Sequence, residues 1–508
     1  MISADPVQSG DIASRQTDTS SSSEQTWLHT HRRDVLVAFL SLLIILPCIW
    51  QPRIHSLDLP SHTYNAWLAS VLQRQPVEGV ILTSPRTNIV FDMLLAGTAK
   101  ITGFAAAETI AVVVAVLIFF WGCFALIARI NGSVNWACVP LLAVLTYGLI
   151  FRLGFFNFYI ATGLCCAAIA TLKASSSRRL IVAALLAAAS VCANPMPVAY
   201  AIGAMTYVVV LRRLRSRLQL VLPSAAAVML ILSGQVLAAR FPSSSWSLDR
   251  LFSLPALLTF FGMDQLWVYG DRYFLLGFAS VVIVLLGVSQ WLRSFDFNLS
   301  YPIFHLLALN IVLMNALPSA ILFPAYKTPL AFLPDRISLF SAVLVCCLIA
   351  RSPVRPWIHG AFVIIFVTFF AFTLRDDIAQ TRFNAEVQRA VNTVPSGSRV
   401  IASIIDPKVR LDSLLHLIDR ACLGRCFSYG NYEPVSGHFR VKAIGQNKVV
   451  LASADAVKQV EMGTFLVRAA DGPVYAVCDC ADSSDRFCAI KLKPGERMCS
   501  VRASLTGW

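Results

Sequence analysis

The chain has 508 residues, of which 57% are hydrophobic and only 14% charged, with a mean hydropathy of +0.67. A water-soluble domain carries roughly a quarter charged residues, so the composition excludes an ordinary cytosolic protein. The formal charge of +14 is gathered in short Arg/Lys clusters between apolar runs, the pattern of topology signals and headgroup contacts, and nucleic acid is set aside as a partner.

Residues 1–33 are polar and Ser-rich, with Ser20-Ser21-Ser22-Ser23, and are expected to form a disordered cytoplasmic tail. His31-Arg32-Arg33 precedes the first apolar run, 35–50. That run ends Pro47-Cys48-Ile49-Trp50-Gln51-Pro52, without a small-residue cleavage site, and reads as a retained signal anchor. Further apolar runs lie near 104–128, 133–150, 155–172, 180–194, 197–211, 218–239, 273–291, 302–322, 337–350 and 358–374. Several reach the ~20 residues that cross ~30 Å of hydrocarbon. The expected fold is an α-helical polytopic membrane protein with about eleven transmembrane helices. Its membrane domain covers 34–374 with an outer juxtamembrane loop at 51–103, and an extracytoplasmic α/β domain covers 375–508.

One stretch decides the topology. Residues 88–103 are apolar but contain Asp92 and Lys100, each costing about 2.5–3.5 kcal/mol at a helix centre. If the stretch does not cross, Arg129, Lys173, Arg178, Arg179, Arg212, Arg213, Arg215, Arg217, Arg293, Arg351 and Arg355 all face the cytoplasm, as the positive-inside rule requires. The stretch is therefore expected on the outer surface of the plasma (inner) membrane, and the tail after Leu374 is expected outside. Six cysteines agree: Cys422, Cys426, Cys478, Cys480, Cys488 and Cys499 form an even set in an oxidising compartment. Disulfides suit their spacing better than a zinc site does, and the pairing is unreadable. Within the tail, 376–394 has helical character, and 399–404, 448–451, 464–467 and 474–477 read as strands.

The spans carry almost no ionisable groups, whereas an ion-coupled transporter needs them at the midplane. Charged residues gather instead at the outer boundary, the place for a substrate with a greasy tail and a polar head. The most informative segment is His55-Ser-Leu-Asp58-Leu-Pro-Ser-His62-Thr-Tyr64-Asn65-Ala-Trp67. A carboxylate at Asp58, with His62 one helical turn on, suits a general base for an acceptor hydroxyl. Asp58 before Pro60 equally suits a helix cap, and the residues alone favour the cap slightly. Among outer-edge cations, Arg86, Arg152, Lys327 and Arg336 are candidates to hold an anionic substrate, although such residues more often snorkel to headgroups. In the tail, Tyr429-Gly-Asn431-Tyr432-Glu433-Pro434 suits either a glycan-touching loop or a packed turn.

An acidic residue soon after the first span, a nearby His and a following amphipathic helix resemble the GT-C superfamily of integral-membrane glycosyltransferases. The stretch Thr87-Asn88-Ile89-Val90-Phe91-Asp92, running to Ile101-Thr-Gly103 before a long span, is similar to that superfamily's second juxtamembrane element. The resemblance implies transfer of a sugar from a polyprenyl-phosphate carrier to a glycan, lipid or protein acceptor on the outer face, usually with inversion. Carried over by position, Asp58 matches the acidic catalytic residue, with His62 and Asp92 as its companions. Where many members carry a second acid beside the first, this chain has Leu59, and Asp92 or Glu78 would have to substitute. No cofactor is implied, and a divalent-metal requirement is not readable. Two other function classes fit the composition: a non-catalytic protein of envelope-polysaccharide assembly, and a transporter or flippase.

Overall fold

The structure, a computed structural model, describes residues 18–133, 136–172, 176–242, 253–292, 297–324, 329–351, 356–406, 409–437, 439–480 and 486–502. The chain divides into two compact units, Met1–Pro47 and Cys48–Trp508. Helix α1 (Asp18–Ile49) begins well before the apolar run. Part of the expected disordered tail is thus helical, since extending an existing helix fixes only one residue per added bond. Residues 1–17 lie outside the described residues.

The second unit holds all the remaining elements and opens with α2 (Leu59–Arg74), β1 (Val80–Leu82) and α3 (Val90–Thr102). Then come α4 (Phe104–Asn131), α5 (Val139–Thr146), α6 (Leu149–Leu153), α7 (Phe156–Thr171), α8 (Ser177–Ala193), α9 (Pro195–Arg213) and α10 (Ser216–Arg240). The bundle continues through α11 (Leu254–Phe261), α12 (Asp271–Leu292), α13 (Phe297–Ala316), the strands β2 (Ala320–Ile321) and β3 (Leu330–Ala331), α14 (Leu333–Arg351) and α15 (Pro356–Asn392). The protein is mostly helical, at 68%. Seven helices among the described residues are long and apolar enough to cross a membrane, and 34–49, 156–171 and 302–316 are shorter apolar helices. This is consistent with a polytopic membrane protein. So is the surface: on α10, Val221, Val228, Met229, Leu232 and Val236 are each more than half exposed, an apolar face that water would penalise and lipid would not.

Several local features depart from the expected runs for identifiable reasons. The run 302–322 ends as a helix at Ala316, ahead of Pro318, and Ala320–Ile321 pairs antiparallel with Leu330–Ala331. The run 133–150 breaks at Tyr147-Gly148, where a Cβ on Gly148 would come within 2.7 Å of the Gln265 carbonyl oxygen. Helix α3 has 13 residues and so rises only ~20 Å, short of the ~30 Å hydrocarbon core. Helices α4 and α7 touch backbone to backbone, since a Cβ on Gly122 would lie 2.1 Å from the Gly163 carbonyl oxygen. That is the small-residue packing typical of membrane helices.

The C-terminal segment adds β4 (Arg399–Ile401), β5 (Ile404–Ile405), α16 (Leu417–Cys422), β6 (Phe427–Ser428), α17 (Glu433–Ser436), β7 (Val441–Ala443), α18 (Ala454–Glu461), β8 (Val474–Asp479), β9 (Phe487–Leu492) and β10 (Val501–Arg502). A four-stranded sheet runs in the order β6-β4-β8-β9, parallel except for the β8–β9 pair. The expected strands at 448–451 and 464–467 form none: the first is a turn in which Asn447 Oδ1 accepts from the Val449 and Val450 amides, and the second contributes one isolated bridge, Leu466 to Arg497. The pairing that the sequence leaves open is Cys422–Cys426, Cys478–Cys499 and Cys480–Cys488.

Two features bind this segment to the rest. Helix α15 is continuous for 37 residues, so the span expected at 358–374 and the tail helix expected at 376–394 are one element. The first loop also joins the tail's core: Tyr64, Leu68, Ala69, Leu72 and Val80 pack with Val387, Val400, Leu417, Tyr429 and Val477, and β1 pairs antiparallel with β7. The boundary expected at residue 374 thus falls inside a helix, and α2 belongs as much to the tail as to the bundle.

Candidate functional site

The loop before α2 rests on a glycine. Gly154 has φ +86°, a conformation natural to glycine. A Cβ there would lie 2.9 Å from the Asp58 nitrogen and 3.0 Å from its Cβ. This close approach lets the Leu57 and Asp58 amides donate to the carbonyls of Arg152 and Leu153, at 2.8 and 3.2 Å. Asp58 then occupies the N-cap of α2, but its side chain makes no capping bond. The carboxylate instead stands near Tyr432 and lies 3.8 Å from His416 Nε2, with its side chain 15% exposed. The capping role that the sequence slightly favours is therefore not the one its side chain plays.

His62, one turn along, donates its amide to the Asp58 carbonyl. Its Nδ1 stands 3.3 Å from Asp92 Oδ1 and 3.2 Å from Glu433 Oε1. Asp92 reaches this position because Asn157 of α7 holds the turn before α3: its Oδ1 accepts from the Phe91 amide at 2.8 Å and its Nδ2 donates to the Asn88 carbonyl at 3.1 Å. Glu433, buried at the start of α17, is held from the tail side. Asn431 Oδ1 accepts from the Glu433 amide, while Asn431 Nδ2 donates to Ser61 Oγ and to Asp419 Oδ2. Ser428 Oγ also donates to Asp419. The imidazole of His416 stacks on Tyr432 with centroids 4.7 Å apart.

Burial and charge set the protonation of this cluster. Burial pushes Asp58 up to about 6 from its ordinary 3.8, with the charge on His62 opposing and Arg336 opposing more weakly. Burial alone would lower His62, but Glu433 and Asp92 outweigh it and hold the ring well above its ordinary value. Burial, helped by the charge on His62, pushes His416 down to about 3. Burial carries Asp419 up to about 7. At neutral pH the arrangement holds an imidazolium at His62, a neutral ring at His416 and a largely ionised Asp58.

The cationic side of the site is Arg336, in the first turn of α14. It is 7% exposed, with Cζ 4.2 Å from the centroid of Phe155 and 5.5 Å from that of Phe158. Its Nε has no hydrogen-bond partner, and no carboxylate among the described residues forms a salt bridge with it. Asp58 and Asp335 are its charged neighbours within electrostatic reach. Asp335 pairs elsewhere, its Oδ1 accepting from Arg410 Nη2 at 2.9 Å.

The other candidate cations stand apart from Asp58 and Arg336 or serve another contact. Arg152 is 2% exposed and bound in a fork to Asp377, at 2.6 and 3.2 Å, with the same Nη1 donating to the His55 carbonyl. Its charge is already neutralised. Arg86 is exposed in the turn between β1 and α3, and Lys327 lies outside the described residues. Glu78, the other candidate second acid, is exposed near β1. Arg420 of α16 forms a buried pair with Glu108 of α4 at 2.9 Å and also donates to the Ile54 carbonyl; Thr63 completes the contact by donating to the second Glu108 oxygen. Glu433, His416 and Tyr432 are site residues that sequence reasoning did not assign. The faint signal was an acid flanked by aromatics in the turn 429–434, but its partner lay some 370 positions away.

Comparison with family models, with curated proteins and with solved structures finds no match.

Proposed function

We propose that this chain is a membrane glycosyltransferase of the GT-C kind, moving a sugar from a polyprenyl-phosphate carrier to an acceptor hydroxyl at the outer face of the plasma membrane. What supports the reading is one juxtaposition: a partly exposed Asp58 carboxylate that makes no capping bond, within electrostatic reach of Arg336, a buried guanidinium that no carboxylate among the described residues pairs with. An unneutralised buried cation is costly, and a phosphate is the natural group to complete it.

The chemistry follows from these two residues. The acceptor oxygen attacks the anomeric carbon while Asp58 takes its proton. The bond from that carbon to the phosphate oxygen breaks, its electron pair leaves with the polyprenyl phosphate, and Arg336 offsets the developing charge. The imidazolium of His62, clamped between Asp92 and Glu433 one turn from Asp58, favours the ionised form of the base. In this topology the short α3 lies along the outer surface, the eleven apolar runs cross, and the disulfide-bearing tail faces an oxidising compartment.

The test is transfer from a polyprenyl-phosphate sugar by purified Asp58→Asn protein in lipid nanodiscs. The substitution is expected to lower the rate by roughly 10²–10⁴-fold, the usual worth of a general base, with insertion and thermal stability retained. A rate equal to wild type would remove Asp58 from the chemistry. A second reading, a non-catalytic assembly protein, is favoured by how much of the cluster is spent in joining α2 to the tail through Ser61, Asn65, Asn431 and Asp419. A wild-type protein that binds the lipid carrier and transfers nothing would select it.

A further inference from the structure

Asp335 and Arg336 are chain neighbours, yet they do not pair. Side chains one residue apart on a helix point in different directions, and Asp335 is taken up by a residue from the tail. Arg410 donates from Nη2 to Asp335 Oδ1 at 2.9 Å, and from Nη1 to the carbonyls of Asp264 and Trp267, both at 3.0 Å. Its guanidinium also lies 4.7 Å from the Trp267 ring centroid, and its Nη2 is 3.9 Å from Asp264 Oδ2. Its own amide donates to the Tyr269 carbonyl at 3.2 Å. These contacts together fix one cation against the acid that stands beside Arg336.

The consequence is electrostatic. Asp335 lies within reach of Arg336, and left alone its negative charge would repel an anion approaching that guanidinium. With Arg410 in place the Asp335 charge is offset at its source, and the field that Arg336 presents to an anion is more positive than it would be beside an unpaired Asp335. We propose that Arg410 is a positioning residue for the anion site: by neutralising Asp335 it keeps Arg336 available to a phosphate. The inference rests on the reading of Arg336 as a phosphate ligand, and it adds a residue of the C-terminal segment to the requirements for donor binding.

Binding of an unglycosylated polyprenyl phosphate to the full chain in nanodiscs of neutral lipid tests this without relying on turnover. Arg410→Ala is expected to weaken binding about tenfold, the equivalent of ~1.4 kcal/mol. Arg410→Lys, which keeps the charge, should recover most of the loss. Asp335→Asn in the Arg410→Ala background should restore binding close to wild type, and Asp335→Asn alone should bind more tightly than wild type. If the double variant binds as poorly as Arg410→Ala, Arg410 acts only as a brace and the proposal falls. Should Arg410→Ala prove too unstable to assay, Asp335→Asn alone decides, because weaker binding there overturns the proposal. Arg336→Gln separates the two levels: binding unchanged by that substitution removes the anion site itself, whereas a loss there with no response at Arg410 leaves the site and removes its helper.

Discussion

Two buried arginines of this molecule have opposite surroundings. Arg152 is bound through both terminal nitrogens to Asp377, backed by the His55 carbonyl and by Trp50, whose indole donates to the same carboxylate. Arg336 lies against the faces of Phe155 and Phe158, with Asp58 and Asp335 within electrostatic reach and no carboxylate among the described residues in a salt bridge with it. The first is paired directly with a carboxylate; the second has carboxylates near it but none bound to it among the described residues. The Nε of each arginine is buried without a hydrogen-bond partner, so the difference lies in the direct carboxylate pair, and its lack at Arg336 among the described residues favours that position for an anionic ligand.

Substitutions can break this comparison. Arg152→Ala leaves Asp377 buried without its partner and is expected to cost about 3–5 kcal/mol, read as a large fall in the unfolding midpoint in detergent. Arg336→Gln should stay within about 1 kcal/mol of wild type, since relief of a buried charge offsets the lost ring contacts, while polyprenyl-phosphate binding drops. Equal destabilisation by the two would erase the distinction. Next in size is Gly154→Ala, which combines an unfavourable φ with a clash against the Asp58 backbone. A loss of about 1–3 kcal/mol is expected, together with a transfer defect that exceeds it, because the base itself is displaced.

The smallest effect is one of pH. With Asp58 at about 6, transfer should rise with pH through 6 and then level, as the carboxylate must be ionised to accept a proton. Stability runs the other way: a carboxyl raised above its ordinary 3.8 contributes most below that value, and its contribution is lost as pH rises through about 6. Because Arg336 favours the ionised form, Arg336→Gln should move the limb of the rate profile to higher pH. A limb that stays in place would mean that the two residues do not sense one another.

How much of the molecule is legible in its sequence depends on distance along the chain. The apolar runs fall largely on helices, and 88–103 holds the 13-residue α3. Asp58, His62 and Asp92 stand out because they sit within one stretch of sequence between the first two apolar runs, and His62 does join Asp92. Glu433, His416 and Arg410 do not, because their neighbours lie far earlier in the chain, and no local periodicity records such a contact. Arg152 misleads for the same reason: a cation at a span end looks free until Asp377 arrives from a distant helix. The disulfide partners are hidden by arithmetic, since six cysteines allow fifteen pairings.

The unbroken α15 has a practical consequence. At 37 residues it is a rod of ~55 Å, and the tail is fastened along its later turns by Ser413 to Gln380, Gln388 to the Ala421 carbonyl and the Phe383–Phe487 ring contact. No hinge interrupts this helix between the sheet and the bundle. A rigid antibody fragment clamped on the tail would therefore inherit the orientation of the helices that α15 packs with, and would serve as a fiducial for imaging.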